Sequence, residues 1–427
     1  MSGNKDKRPQ ASRRGFLAGA AGLMAAAGSG FAATAAEPAV SQNVMRGGGQ
    51  DIHKTEPFWG RHQGGIATRQ QTNSYFAAFD LMTEKRSDVE ALLRTWTEAA
   101  ARLTAGQTAA PLGEDLGVPA SDSGDALSLP PARLTITFGF GPGLFIKDGH
   151  DRFQLAALRP EALADLPKFP GDQLVEEHTG GDLSIQACAD DPQVAFHAVR
   201  QLARLAYGMA QIRWAQTGFA AGPASKGTGR NLMGFKDGTM NPTDFDRFVW
   251  VADEGPDWMR GGSYLVTRRI RIALEHWERM TVSFQEQVVG RQKYSGAPLG
   301  GKHETDPLNL DATDKDGNLV IPENAHARLS APDANDGAQI LRRAYSYNDG
   351  VNFTAERWPP WRQGMEYDAG LFFMSYQRDP RNSFVVMFDK LSKMDAMNQF
   401  VTHVGGGLFA CPGGPGKGEF IGQRLFA

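Results

Sequence analysis

One run in the middle of the chain, residues 230–242, constrains the fold more than any other stretch. It reads Arg-Asn-Leu-Met-Gly-Phe-Lys-Asp-Gly-Thr-Met-Asn-Pro, and its single acid is Asp237. Gly234 and Gly238 flank that acid, and glycine alone tolerates every backbone region, so the run turns tightly or approaches a bulky group. Asp-Gly-Thr is also typical of an Asx-type turn that leaves a hairpin. Taken alone, the pattern of this Asp237 segment favours the turn.

Length and composition limit the classes of protein to which the chain can belong. Its 427 residues give two domains as the first expectation. The net charge of -3 argues against a broad basic surface for nucleic acid. The two cysteines, Cys188 and Cys411, lie far apart and are typical of small buried side chains, and the sequence leaves their pairing open.

The first 35 residues have the pattern of a targeting signal. Arg13 and Arg14 match the twin-arginine export pattern, a run rich in glycine and alanine follows, and Ala-Thr-Ala at 33–35 supplies a cleavage site. An uncleaved membrane anchor is the alternative, but the run is weakly hydrophobic for a spanning helix. We therefore predict a signal peptide at 1–35, a flexible leader at 36–57, a periplasmic location and no transmembrane segment in the mature protein.

Hydrophobic periodicity predicts mixed strands and helices in both halves of the remaining chain. In the first half it indicates, in order, a strand at 75–81, a helix at 87–103, strands at 133–138 and 182–188, and a helix at 194–207. This is the element order of a ferredoxin-like unit. The second half repeats the pattern with strands at 263–272 and 370–376, a helix that begins at Leu274, and a helix at about 394–401.

A polar insertion, residues 300–318, separates these elements of the second half. Within it, Asp-Lys-Asp-Gly at 314–317 is similar to part of a calcium-binding loop. Ala312 occupies the position of the first ligand, however, so we interpret the insertion as a solvated surface loop.

Three separated segments resemble the dye-decolorising haem peroxidases. Residues 234–239 match the signature of the exported iron-uptake deferrochelatase branch, 324–329 match the family's proximal His-x-Arg segment, and 340–347 look like its arginine-bearing strand. The resemblance covers the chain from about residue 58. It implies an α+β fold of the dimeric α+β barrel type, with two tandem ferredoxin-like domains, at 58–222 and 223–427, whose antiparallel β-sheets are flanked by helices.

The resemblance also implies the cofactor, haem b, and the residues around it. His326 would be the metal ligand, and Asp237 and Arg342 would be the catalytic pair. The residues implied to contact the haem are Gly238, Thr239, Met240, Arg291, Arg342 and His326. Asp237 would take a proton from one oxygen of hydrogen peroxide and return it to the other, while the permanently charged Arg342 stabilises the negative charge. A carboxylate in this role predicts activity favoured at acid pH.

From the residues alone, other interpretations stay open. Any one of the nine histidines is more often structural than a ligand, and His62 fits a structural or cavity-edge role. Arg343 is a candidate for a haem propionate, and Asp389 is the candidate partner of His326, since a ligating histidine usually has a carboxylate behind it. Four aromatic residues could carry electrons, although aromatic residues at such spacings are more often core: Tyr345, Tyr347, Trp358 and Trp361.

The predicted function is a peroxidase that oxidises dye-like or phenolic donors, with deferrochelation, the release of iron from intact haem, as a further activity. The alternative is a haem carrier on the same fold, which would need His326 but neither Asp237 nor Arg342. Hydrogen peroxide, small electron donors and haem are the expected small-molecule partners. A homodimer and iron-uptake partner proteins are also expected, although the residues identify neither.

Overall fold

The computed structural model describes residues 52–220, 228–355 and 363–427. The predicted signal peptide, most of the leader, Trp358 and Trp361 lie outside these residues. No helix within them is long and apolar enough to cross a membrane.

The first half forms a four-stranded antiparallel sheet with two helices. Its strands are β1 (Asn73–Leu81), β2 (Thr135–Phe140), β3 (Leu183–Ala189) and β4 (Ala210–Phe219), and its helices are α1 (Arg86–Thr104) and α2 (Pro192–Leu205). The strand order β4-β1-β3-β2 is that of a ferredoxin-like unit. Both helices bury apolar residues at helical spacing, and Asp191 caps α2 by accepting from two backbone N–H groups.

The second half repeats the same strand order with longer strands. These are β5 (Ser263–Ile272), β6 (Leu341–Arg342), β7 (Tyr345–Ala355), β8 (Gln363–Gln377) and β9 (Val401–Cys411). They pair as β9-β5-β8-β7, and the short β6 is added beside β8. The helices are α3 (Phe245–Phe248), α4 (Leu274–Trp277), α5 (Val282–Val289), α6 (His326–Leu329), α7 (Phe384–Met394) and α8 (Gln423–Phe426).

The two sheets close into one antiparallel barrel, since β2 pairs with β9 and β4 pairs with β7. Each of these two seams consists of a single residue pair, Phe140 with Ala410 and Phe219 with Ser346. Buried aromatic rings fill the interior between the sheets: Phe76 of the first half lies 5.3 Å from Phe372 of the second. The α+β fold of two ferredoxin-like sheets is confirmed.

One predicted helix is absent from the structure, and strand β9 was not predicted. The helix expected at 394–401 is wrong, because α7 ends at Met394 and strand β9 begins at Val401, with only a 3₁₀ turn between them. The glycines of β9 obscured that strand in the sequence. They are required by close packing, since a side chain at Gly406 would meet the Thr267 carbonyl oxygen at 2.0 Å.

Candidate active site

A large cavity lies above the second sheet, between the Asp237 segment and helices α6 and α7. Counting its open mouth, the space free of protein atoms is about 1710 Å³. β5, β8 and β9 supply an apolar floor that includes Ile270, Leu371 and Phe373. The catalytic pair and the residues implied to contact the haem all line this one cavity: Asp237, Gly238, Thr239, Met240, Arg291, His326 and Arg342.

The Asp237 segment folds into a small turn that presents its acid to the cavity. Arg230 and Lys236 form an antiparallel bridge, and the Asn231 side chain accepts from the backbone N–H of Met233 at 3.1 Å, which is an Asx-type turn. The backbone angle φ is +84° at Gly234 and +100° at Gly238, conformations that favour glycine. Both interpretations of the sequence therefore apply, because the turn is present and it borders a large cavity.

Asp237 faces Arg342 across 3.4 Å, measured from Oδ1 to Nη1. Their side chains are 22% and 27% exposed, so both reach the cavity. Asn241 joins the two elements that carry them: its Nδ2 donates to the Arg342 carbonyl at 2.8 Å, and its Oδ1 accepts from the Arg342 N–H at 3.0 Å. A carboxylate and a guanidinium are thus held together in a partly enclosed space.

His326 begins α6 on another wall of the cavity, and its ring is fixed by a buried carboxylate. Nδ1 lies 2.6 Å from Oδ2 of Asp395, whose other oxygen caps the following turn by accepting from the Met397 N–H at 2.8 Å. A proton on Nδ1 leaves the Nε2 lone pair free, and Nε2 has no hydrogen-bond partner among the described residues. Burial lowers the pKa of His326, but Asp395 more than offsets this, so the net shift is upward.

The prediction that Asp389 supports His326 is wrong. Asp389 lies six residues before Asp395, on α7, where it pairs with Lys393 at 2.7 Å at the surface. Asp395, directly after the helix, takes the position behind the imidazole. The predicted helix at about 394–401 included Asp395, whereas α7 in fact ends at Met394 and leaves Asp395 free to face His326.

Arg291 is a buried cation at the edge of the cavity. Its Nη1 donates to the carbonyl oxygens of Gly296 and Glu304 at 2.9 and 3.0 Å. Its Nη2 is buried and has no partner among the described residues. A buried donor without an acceptor is costly, so this nitrogen fits an anionic group within the cavity.

Several other candidates point away from the cavity. Arg343, between β6 and β7, donates to the Thr68 carbonyl and to Gln71, and Tyr345 and Tyr347 are buried in the barrel interior. His62 stacks on Trp250 with ring centroids 3.9 Å apart. Cys188 and Cys411 are both buried and free. The structure therefore separates Arg343 from the site occupied by its neighbour Arg342.

Sequence reasoning missed several side chains that shape the site. Asn241 closes the Asp237 segment and Glu304 belongs to the polar insertion. Arg268 and His403 lie on the apolar floor, where Asp172 pairs with Arg268 at 3.1 Å. Of these residues, only Asn241 could have been found from the sequence, because it lies within the Asp237 segment.

Comparisons with known proteins agree with this geometry. Residues 63–220 match the family model described as Dyp-type peroxidase, N-terminal, and residues 228–415 match Dyp-type peroxidase, C-terminal. A dye-decolorizing peroxidase of Thermobifida fusca is 38% identical, with 98% of each chain covered. A deferrochelatase of Escherichia coli K12 is 34% identical, covering 87% of this chain and 88% of that protein.

Solved structures show the same likeness. Ferric DtpA from Streptomyces lividans matches with a TM-score of 0.79 and 42% identity, over 88% of this chain and 98% of that one. A DyP-type peroxidase from Cellulomonas bogoriensis matches with a TM-score of 0.77 and 38% identity, again over 88% and 98%. The cavity with its acid, arginine and imidazole thus belongs to an enzyme, and this chain is a member of the Dyp-type peroxidase family.

Proposed function

We propose that the protein is a haem-dependent peroxidase that reduces hydrogen peroxide and oxidises dye-like or phenolic donors. The cofactor is haem b, and the cavity suits it, with an apolar floor, a free imidazole nitrogen on His326 and the unpartnered Nη2 of Arg291. His326 would ligate the iron and Arg291 would bind a propionate. Gly238, Thr239 and Met240 would lie against the macrocycle. When bound, the haem supplies the electrons that cleave the O–O bond.

The observation that carries this proposal is the 3.4 Å pairing of Asp237 with Arg342 in the cavity that also holds His326. The Asp237 carboxylate takes a proton from one oxygen of bound hydrogen peroxide and delivers it to the other, which leaves as water. Arg342 stays protonated at every working pH and stabilises the negative charge that develops on the leaving oxygen.

A double variant tests this assignment against a simple haem carrier. Asp237→Asn with Arg342→Leu should retain haem but lose about 10²–10⁴-fold in peroxide-dependent dye oxidation, the usual contribution of a positioned acid–base group. Asp389→Asn, a change at the surface carboxylate on α7, is the matched control and should keep full activity. Full dye oxidation in the double variant would show that the reaction needs neither Asp237 nor Arg342, which is what a simple haem carrier predicts.

Deferrochelation is a second activity of the same site, supported by the likeness to the deferrochelatase of Escherichia coli. In it, haem is a substrate and its iron is released with the porphyrin intact. Incubation of the purified protein with haem under reducing conditions should yield protoporphyrin fluorescence. An absence of that fluorescence, with peroxidase activity present, would remove this activity and leave the peroxidase assignment standing.

The proposal extends to the setting of the enzyme. Arg13 and Arg14 support export to the periplasm through the twin-arginine pathway, from a signal peptide at 1–35. We also propose that the protein has two domains, at 58–222 and 223–427, that it forms a homodimer and that it associates with iron-uptake proteins. Changing both arginines to lysine should hold the protein in the cytoplasmic fraction, and periplasmic recovery of that variant would contradict the export route.

A further inference from the structure

The polar insertion contacts the Asp237 segment through one carboxylate, that of Glu304. Its Oε1 accepts from the Thr239 hydroxyl at 3.1 Å and from the Thr228 backbone N–H at 3.1 Å. Its Oε2 accepts from the ammonium group of Lys236. Lys236 immediately precedes Asp237 and Thr239 follows it by two residues, so the Glu304 carboxylate binds side chains on both sides of the acid.

Glu304 is built into the site rather than solvated. Its side chain and that of Lys236 are each 13% exposed, which makes them a largely desolvated ion pair. Burial would raise the pKa of Glu304, but the hydrogen bonds from Lys236, Thr228 and Thr239 lower it to about 2. The carboxylate is therefore ionised at every pH at which the enzyme works, and its contacts do not switch with pH.

The backbone at Glu304 adds a link to a further part of the cavity. Its carbonyl oxygen accepts from Nη1 of Arg291 at 3.0 Å. The insertion, the Asp237 segment and the buried arginine at the cavity edge thus meet at one residue. Glu304 therefore joins the insertion to Arg291, 13 residues earlier, and to Thr239 and Lys236, 65 and 68 residues earlier.

We infer that Glu304 is a positioning residue, which holds Asp237 in the orientation that faces Arg342 and the peroxide site. This inference rests on the proposed function, since it concerns the orientation of the proposed acid. The polar insertion, interpreted from sequence as a solvated loop, is then part of the catalytic architecture. Glu304 itself lines no part of the cavity among the residues that define its wall, so it acts through Asp237 and not on the substrate.

Asp306, another carboxylate of the insertion, is a control that separates the positioning of Asp237 from the general order of the loop. Asp306 accepts from the backbone N–H groups of Lys302 and His303 at 2.7 and 2.8 Å. It therefore stabilises the turn of the insertion and makes none of the contacts to the Asp237 segment found for Glu304. Asp306→Ala removes these two turn contacts and none of the contacts of the Glu304 carboxylate.

The test measures the bimolecular rate of the haem-loaded protein with hydrogen peroxide by stopped flow, with the Soret band as a check on haem content. Glu304→Ala should lower this rate about 10- to 100-fold, since a misplacement of about 1 Å can cost 10²-fold. The KM for the dye should stay unchanged. Glu304→Gln, which keeps the shape and the acceptor for Thr239, should lose less. Asp306→Ala should keep the wild-type rate.

Equal rate losses in Glu304→Ala and Asp306→Ala would overturn the inference in favour of loop order alone. A wild-type rate in Glu304→Ala would also overturn the inference. If Glu304→Ala does not fold, a wild-type rate in the isosteric Glu304→Gln would overturn it instead. Asp237→Asn, measured in parallel, distinguishes the proposed role of Asp237 from that of Glu304. If Asp237→Asn keeps the rate, the proposed role of the acid fails; if only Asp237→Asn loses it, the role of Glu304 alone fails.

Discussion

The walls of the cavity that carry Asp237 and His326 are held in different ways. The Asp237 segment is fixed by many modest contacts: its own Asx turn, the Asn241 link to the Arg342 backbone, and the carboxylate of Glu304. The His326 ring is fixed by one short hydrogen bond to the buried Asp395. A distributed support keeps part of its hold when one member is lost, whereas a single support does not. Loss of the one support of His326 should therefore free that ring more completely than loss of any one contact frees the Asp237 segment.

The largest effect is expected at His326 itself. His326→Ala removes the proposed ligand and leaves Asp395 as a buried carboxylate without its partner. The purified variant should lack the Soret band of the wild type, even when haem is supplied during expression. A wild-type Soret band in this variant would place the ligand elsewhere in the cavity.

Asp395→Asn should come next. The change weakens the support of the ring without removing the ligand, and the loss of such a partner typically costs 10- to 100-fold in metal affinity. Haem transfer to an excess of apomyoglobin should accelerate by about that factor. Asp389→Asn is the control on the same helix, and an equal acceleration there would show that the effect is not specific to the contact with His326.

Asn241→Ala should have a smaller effect, because other contacts still hold the Asp237 segment. Two hydrogen bonds to the Arg342 backbone are lost, each worth roughly 0.5–1.5 kcal/mol. We expect a decrease of about 10-fold in the rate with peroxide and a normal Soret band. If this variant instead matches the Asp237→Asn variant in severity, the support of that wall is not distributed.

The smallest effect concerns pH and the floor of the cavity beside α7. Burial, with a smaller contribution from Arg268, lowers the pKa of His403 to about 3. The unfolded chain, with an ordinary histidine pKa of about 6.5, then binds more protons between pH 6.5 and 3, so stability falls as the pH drops through that window. In the haem-free protein, the decrease in Tm from pH 7 to pH 4 should be smaller for His403→Gln than for the wild type. An identical loss would mean that this imidazole is not the cause.

The sequence predicted those parts of the molecule that depend on local pattern. Strand β5 and helices α1 and α2 follow from periodicity, and Asp237, His326 and Arg342 were found through short motifs. Their placement in one cavity agrees with the prediction, while their chemical roles remain predictions.

The contacts that join distant segments could not be predicted in this way. Glu304 looked like one more charge in a polar loop, because its partners lie between 65 and 76 residues away in sequence. Asp395 was missed because the glycines of β9 gave no strand signal, and the helix boundary was shifted with it. Long-range hydrogen bonds depend on the folded backbone and leave no periodic trace.

The seams of the barrel have a consequence for how the molecule comes apart. Each half has its own continuous ladder, and among the described residues each seam between the two ladders is a single residue pair. Side-chain contacts therefore add to the cohesion between the halves: the rings of Phe76, Phe372 and Phe409 pack together, and Asp172 pairs with Arg268. Phe76→Ala leaves a cavity in that ring cluster and should therefore loosen the halves from each other while each keeps its own ladder, so that thermal unfolding becomes less cooperative than in the wild type.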